Sequence, residues 1–193
     1  MADLETIKDL RESTGAGLGD INKALAEAGG DKDKALKILR AMGKMVAQKK
    51  SSRTAKEGIV EAYVHTNKKL GVLLELRCET DFVARNEEFK KLAHELAMQI
   101  AAANPKYLRV EDVPQETVEE EKKIYSQQVD KDKPEKIREE ILKGKLQKRW
   151  AELCLLEQPY MRDPDVAVKE LITQAIAKLG ENIEVGQFIR FEI

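Results

Sequence analysis

The chain has 193 residues, and 36% of them are charged, but its 34 basic and 35 acidic residues leave a net charge of −1. This balance gives no overall field that would attract nucleic acid or a membrane surface, and the lack of a long apolar run excludes a transmembrane helix. The acidic first residues are unlike a secretory signal, and the two distant cysteines lack metal-ligand spacing, so we expect a cytoplasmic protein that binds neither metal nor membrane.

Three short helices are predicted within residues 1–42. Apolar residues at helical spacing form one face of the first helix: Leu4, Ile7 and Leu10. Glycines end that helix, Asp20 is predicted to cap the second helix, and Asp31 or Asp33 is predicted to begin the third. Because helices this short are marginal alone, we expect them to pack together as a small three-helix domain.

Residues 43–57 are predicted to form a basic linker. Between Arg40 and Lys56 the sequence contains six basic residues and no acidic ones. Such a run is either a solvated, partly helical connection or a patch that binds RNA phosphates. No aromatic residue lies among the lysines to stack on a base. We therefore expect no direct contact with nucleic acid and keep an RNA-binding accessory factor as the alternative function.

A strand pattern begins the predicted core, which covers residues 58–113. One face of the first predicted strand is formed by Val60, Ala62 and Val64. Residues 70–76 alternate at the strand period, and residues 65–69 join the two strands as a hairpin. A helix over about residues 86–103 is expected to cover the sheet.

Sparse apolar residues and many charges predict a helical hairpin over residues 114–157. Residues 130–134 separate its two helices, and each helix has one narrow apolar seam. Residues 158–193 return to the core, with a helical stripe over residues 168–179 and a last strand. The predicted fold class is α+β, in which an antiparallel sheet and its covering helix form the core.

No arrangement typical of an enzyme is present in the sequence. His65 and His94 are the only histidines, and neither neighbours a nucleophile motif. The sequence has no Walker-type phosphate loop, and its early glycines follow no strand, as a dinucleotide site would require. We therefore predict a protein that acts by binding, with no catalytic residue and no cofactor.

The most informative segment runs from Cys78 to Asn86, between the second strand and the long helix. Asn86 is a good N-cap, and two glutamates after it place negative charge in the first helical turn. Residues 80–85 form a short connection with Phe82 near its tip. An aromatic residue there either packs back into the core or is held out for a partner, and composition leaves both interpretations open.

The segment Thr80-Asp81-Phe82-Val83-Ala84-Arg85-Asn86 resembles the signature of the bacterial elongation factor Ts family. Residues 10–17 are similar to a second family motif, and residues 180–183 and 188–192 are similar to the family's C-terminal stretch. The resemblance implies a ubiquitin-associated-like N-terminal domain and a coiled-coil excursion at the helical hairpin. It also implies the short form of the family, because this chain has one signature and one hairpin.

This resemblance implies a guanine nucleotide exchange factor for the GTPase elongation factor Tu, which promotes release of GDP. The residues implied to enter the GTPase domain of Tu near its bound magnesium are Thr80, Asp81, Phe82 and Val83. Phe82 is the expected wedge, and Asp81 is expected to position it or to perturb the metal environment. Arg85 and Asn86 are expected to orient the connection and to cap the following helix.

The N-terminal turn is implied to contact the same GTPase domain through Arg11, Leu18 and Gly19. The family often has two bulky apolar residues after this turn, and Gly19 departs from that pattern. Contact with another domain of Tu is also implied, as is a homodimer in which a second copy supplies missing contact surface. The apolar residues that belong either to the core or to that interface include Tyr63, Leu73 and Phe188. A further alternative is a non-enzymatic scaffold that uses the helical hairpin.

Overall fold

The computed structural model describes residues 3–130 and 134–193, which divide into two compact units. The first unit contains the residues up to Met98 together with Glu170–Ile193, and the second unit is Gln99–Lys169. The helices are α1 (Leu4–Thr14), α2 (Leu18–Glu27), α3 (Lys32–Lys50), α4 (Asp81–Ala84), α5 (Glu87–Ala103), α6 (Gln115–Gln127), α7 (Glu135–Leu153) and α8 (Val168–Leu179). The strands are β1 (Glu57–Val64), β2 (Leu70–Cys78), β3 (Pro159–Tyr160), β4 (Asp163–Ala167) and β5 (Glu184–Glu192). The α+β class is confirmed, and no helix in these residues is long and apolar enough to cross a membrane.

The first three helices pack around one cluster of buried side chains. Its members are Leu10, Ile21, Ala24, Leu25, Ala35 and Leu39. The prediction that Leu4 shares the packed face is wrong, because α1 begins at this residue and its side chain is 83% exposed. The predicted cap of the second helix is also wrong. α2 begins at Leu18 with an extended Gly17 at the N-cap, so Asp20 lies in the first turn, where the helix dipole favours its charge.

The third helix is longer than the sequence predicts. It begins after Asp31, whose side chain accepts hydrogen bonds from two backbone N–H groups at 3.0 Å, and it continues to Lys50. Residues 43–50 of the predicted linker are therefore helical. Their alanine, lysine, glutamine and methionine favour helix. The helix also packs closely on α8, since a Cβ on Gly43 would lie 3.3 Å from the Cβ of Ala177.

The main sheet has the order β1-β2-β5, and both pairs of strands are antiparallel. One face of this sheet is covered by α5. The Glu61 carboxylate lies 2.8 Å from Nδ1 of His94, and the Tyr63 and His94 rings are 5.8 Å apart. The buried residues of β2 on this face are Val72, Leu74, Leu76 and Cys78. Phe188 pairs with Leu74 and therefore lies on the covered face, as Tyr63 does.

The opposite face of the sheet is apolar and exposed. Its exposed large apolar residues are Val60, Val64, Leu73, Ile189 and Phe191. The strand register places Ala62, Leu73 and Ile189 in one row across the three strands. We therefore call this surface the open sheet face, and the residues predicted to share one face of the first strand lie on it.

In the second unit, α6 and α7 run in opposite directions and are joined by polar contacts. Nε of Arg149 lies 2.7 Å from the Glu121 carboxylate, and Nζ of Lys145 donates to Gln128 at 2.8 Å. These contacts join the middle of one helix to the end of the other, so the two helices lie side by side. The predicted break at residues 130–134 lies partly outside the described residues.

The second unit also contains a small sheet, β3–β4, that the sequence does not predict. Pro159 and Pro164 interrupt the alternation by which strands are recognised. The sheet rests on the buried side chain of Gln99, which donates to Gln158 at 3.1 Å and to the Pro159 carbonyl at 3.2 Å. The Gln99 side-chain oxygen accepts from the N–H of Met161 at 2.8 Å. This amide therefore satisfies backbone groups that the short strands leave unpaired.

Candidate partner-binding site

The signature segment forms one helical turn, α4, between the end of β2 and the start of α5. Thr80 occupies the N-cap, and its Oγ1 accepts a long hydrogen bond from the N–H of Val83 at 3.5 Å. Arg85 ends the turn, and its guanidinium lies 3.0 Å from the Asp81 carboxylate. Asn86 then accepts from a backbone N–H two residues later at 2.8 Å, as an N-cap does. The predicted connection is therefore a helical turn with caps on both sides.

Phe82 projects from this turn into solvent. Its side chain is 83% exposed, whereas Ala84 is buried. The two residues point to opposite sides because successive helical residues turn by about 100°. Val83 is half-buried, and the Asp81 side chain is 50% exposed. In the free protein the phenylalanine is thus not packed back into the core, and its ring is open to a partner.

A loop from the far end of the chain holds the base of this turn. The Glu181 carboxylate accepts from the N–H groups of Glu79 and Thr80 at 3.0 Å each, and from the Thr80 hydroxyl at 2.6 Å. In return, the Glu79 carboxylate accepts from the N–H of Asn182 at 2.7 Å. Sequence reasoning gave Glu181 and Asn182 no role. The one signal that pointed to them was the similarity of residues 180–183 to the family.

The groups beneath the turn are electrostatically satisfied and chemically inert. The N–H of Asn182, and secondarily the guanidinium of Arg53 at 3.4 Å, lower the pKa of Glu79 below its usual 4.5. Burial raises the pKa of the Cys78 thiol to about 11, and this thiol donates to the Thr80 carbonyl at 3.2 Å. The thiol is therefore protonated at neutral pH and is not a nucleophile. Among the described residues, no group of acidic, histidine or cysteine side chains is placed to hold a metal ion.

The three residues predicted for the N-terminal site lie around the turn between α1 and α2. Arg11 is exposed in the last turn of α1. Leu18 begins α2 and is 53% exposed. Gly19 follows it, and a Cβ at this position would meet no atom within 4 Å. The surface is therefore open, but it carries one large apolar side chain where the family often has two.

This N-terminal turn is connected to the signature segment through α8. Gly15 has φ +66°, and a Cβ on it would lie only 2.9 Å from the Cα of Lys178. The ammonium group of Lys178 lies 2.9 Å from the Glu88 carboxylate. Glu88 is in the first turn of α5, directly after the signature. The N-terminal turn and the signature segment are therefore linked by consecutive contacts within the first unit.

Comparison with known proteins agrees with these motifs. A family model described as elongation factor TS matches residues 17–193. The chain belongs to the elongation factor Ts family. The elongation factor Ts of Thermodesulfovibrio yellowstonii is 54% identical over 189 residues, which cover 98% of this chain and 94% of the relative. As a member of this family, the chain is a translation elongation factor.

Two further relatives with the same name extend the comparison. The protein of Thermotoga petrophila is 57% identical over 190 residues, or 98% of this chain and 95% of the relative. That of Carboxydothermus hydrogenoformans is 52% identical over 190 residues, or 98% of this chain and 88% of the relative. The similarity therefore covers both units of the structure.

Proposed function

We propose that this chain is the guanine nucleotide exchange factor for the GTPase elongation factor Tu, from which it releases GDP so that GTP can bind. The observation that carries this proposal is Phe82. This residue is 83% exposed on a helical turn whose base is fixed by hydrogen bonds to Glu181. Aromatic side chains on rigid supports are typical anchors of protein interfaces.

The mechanism follows from linked binding equilibria. A GTPase holds its nucleotide by phosphate contacts and by a magnesium ion that bridges phosphate and protein. A wedge that binds more tightly when these elements are displaced lowers nucleotide affinity by the difference in its own binding free energy. We assign the wedge to Phe82, flanked by Thr80 and Val83. Asp81 is half exposed and paired with Arg85, and it positions the wedge or perturbs the magnesium environment.

Turnover needs no chemistry on this chain. Because the coupling between two ligands is reciprocal, a returning nucleotide weakens the hold of the exchange factor by the same factor. The chain therefore acts without a catalytic residue or a cofactor of its own. Its action would take place in the cytoplasm, where translation elongation proceeds.

A second contact with the same GTPase domain is assigned to the N-terminal turn, through Arg11, Leu18 and the backbone at Gly19. Helices α1–α3, which we identify as the ubiquitin-associated-like domain, present this turn. We assign α6 and α7 to the helical hairpin of the family. The part of the chain outside α1–α3 and this hairpin is proposed to contact another domain of Tu. The contact chain from Gly15 to Glu88 supports the idea that the N-terminal turn and Phe82 act together.

The open sheet face supports a homodimer. It exposes 70% of Val60, 62% of Phe191 and 46% of Leu73, and contiguous apolar surface of this kind is typical of interfaces. A second copy would cover these residues and supply contact surface that one core subdomain lacks. Light scattering during gel filtration would give the mass. A single monomeric mass at micromolar concentration would reject the dimer.

The exchange reaction can be tested directly. Tu is loaded with a fluorescent GDP analogue, and release into excess unlabelled GDP is followed after adding sub-stoichiometric amounts of this protein. We expect faster release with the wild type, and about tenfold slower release with Phe82→Ala, since interface anchors carry most of the binding free energy. Leu4→Ala is the matched control, because its side chain has the same 83% exposure and lies outside both proposed sites.

The results of this assay distinguish the exchange factor from the scaffold and from the RNA-binding factor. If the wild type leaves GDP release unchanged, the exchange function is refuted. An undiminished rate with Phe82→Ala rejects the wedge and favours a scaffold that uses the helical hairpin. RNA binding that weakens steeply with salt, together with no effect on Tu, would favour the RNA-binding alternative based on residues 40–56.

A further inference from the structure

Two segments that are distant in sequence exchange hydrogen bonds at the base of α4. The Glu181 carboxylate accepts three hydrogen bonds, from the N–H groups of Glu79 and Thr80 and from the Thr80 hydroxyl. Glu79 accepts one in return from the N–H of Asn182, which is 2% exposed. Hydrogen bonds to ionised acceptors are stronger than those between neutral groups. The loop after α8 therefore clamps the last residues before the turn.

The Thr80 hydroxyl takes part in two hydrogen bonds, one as a donor and one as an acceptor. It donates its proton to Glu181 at 2.6 Å, so its oxygen lone pairs remain available for the N–H of Val83. Without a strong acceptor opposite it, the hydroxyl is free to rotate and to donate elsewhere. The carboxylate thus keeps the threonine oriented as an N-cap. The cap matters here because a single helical turn is not stable alone.

The geometry points to Glu181 as a positioning residue for nucleotide exchange, which holds Thr80 and thereby sets the direction in which Phe82 projects. This inference rests on the proposed exchange function. The Phe82 side chain has no hydrogen-bonding group, and the residue is mostly in solvent, so the direction in which the ring leaves the protein follows from the backbone of its turn. An anchor that is oriented before binding loses less conformational freedom in the complex.

Two variants of Glu181 remove its hydrogen bonds to different extents. Glu181→Ala removes all three acceptor contacts, whereas Glu181→Gln keeps the shape and one acceptor oxygen. We expect the maximal rate of GDP release from Tu to fall about tenfold with Glu181→Ala, and less with Glu181→Gln, since charged acceptors contribute more than neutral ones. Glu120→Gln, on the exposed surface of α6, is the matched control and should leave the rate unchanged.

A double-mutant cycle shows whether Glu181 acts through the wedge. In the Phe82→Ala background there is no ring to orient, so Glu181→Ala should slow release less than about twofold further. A general loss of structure would instead lower the rate by the same factor in both backgrounds. That result, or a wild-type rate for Glu181→Ala beside an impaired Phe82→Ala, would overturn the inference.

A spectroscopic measurement on the free protein tests the same point without Tu. Phe82→Trp combined with Trp150→Phe leaves one tryptophan, because the natural chain has one. Adding Glu181→Ala should increase the fast local component of its fluorescence anisotropy decay while the far-ultraviolet circular dichroism is unchanged. Unaltered local motion would overturn the inference. If the wild type does not release GDP from Tu, the proposed exchange function is refuted. The anisotropy measurement still shows whether Glu181 orients the side chain at position 82.

Discussion

Gly15→Ala should destabilise the protein at the point where the N-terminal turn meets α8. The backbone at Gly15 has φ +66°, where a side chain costs about 1–2 kcal/mol. The new Cβ would overlap Cγ of Lys178 and lie 2.9 Å from its Cα. The flexible side chain can move, but the Cα can move only with α8, and such overpacking costs about 1–3 kcal/mol. We therefore expect a loss of about 2–5 kcal/mol, a large part of the 5–15 kcal/mol typical of folded proteins.

Urea unfolding followed by circular dichroism measures this loss, and the midpoint should fall by about 1–2 M. Gly19→Ala is the matched control, since a Cβ there meets no atom within 4 Å and alanine should stabilise α2 by up to about 1 kcal/mol. Amide exchange would locate the effect, with the largest loss of protection in α1 and α8. Equal midpoints for Gly15→Ala and the wild type would refute the close approach of the turn to Lys178.

Two other predictions concern the candidate sites. Gly19→Leu places a second apolar side chain beside Leu18. We expect this variant to bind Tu about tenfold more tightly than the wild type, as measured by titration calorimetry. If Gly19→Leu and the control Gly19→Ser bind Tu with equal affinity, position 19 lies outside the interface. The pKa of Glu79 lies below 4.5 in the folded protein. Its ionised carboxylate therefore stabilises the fold at any pH above 4.5, the pKa of the unfolded chain. This stabilisation is lost as the pH falls from 4.5 through the lower pKa of the folded protein. The melting temperature of Glu79→Gln should therefore approach that of the wild type in acid, and a constant difference from pH 7 to pH 3 would contradict the assignment.

Periodic elements were predictable because each repeats a local rule. The alternation of β2 and the helical stripe of α5 both follow from burial of one face, and Asn86 follows from its preference for the N-cap. The length of α3 was not predictable in this way. Its second half is basic and mostly exposed, and it packs on α8 at Gly43, a contact between residues far apart in sequence.

The same distinction applies to the site. A sequence pattern identifies Phe82 as an aromatic residue in a turn, but whether it faces inward depends on the angle at which that turn leaves the sheet. The angle is set by Glu181, whose partners lie about a hundred positions earlier in the chain. A lone glutamate after a helix looks like any solvated surface residue. Only the fold brings its carboxylate to the two N–H groups and the hydroxyl that it binds.

The distribution of contacts around the signature suits an exchange factor. The residues on either side of α4 are heavily tied down, by the Cys78 thiol and Glu181 before it and by the Asn86 cap after it. Phe82 is left with little contact of its own. A wedge must bind one state of its partner better than another, and flexibility would let it fit both states equally and shift neither. Rigidity of the base combined with exposure of the ring is therefore what the proposed mechanism requires, and softening the base at Glu181 should weaken exchange even though the ring remains.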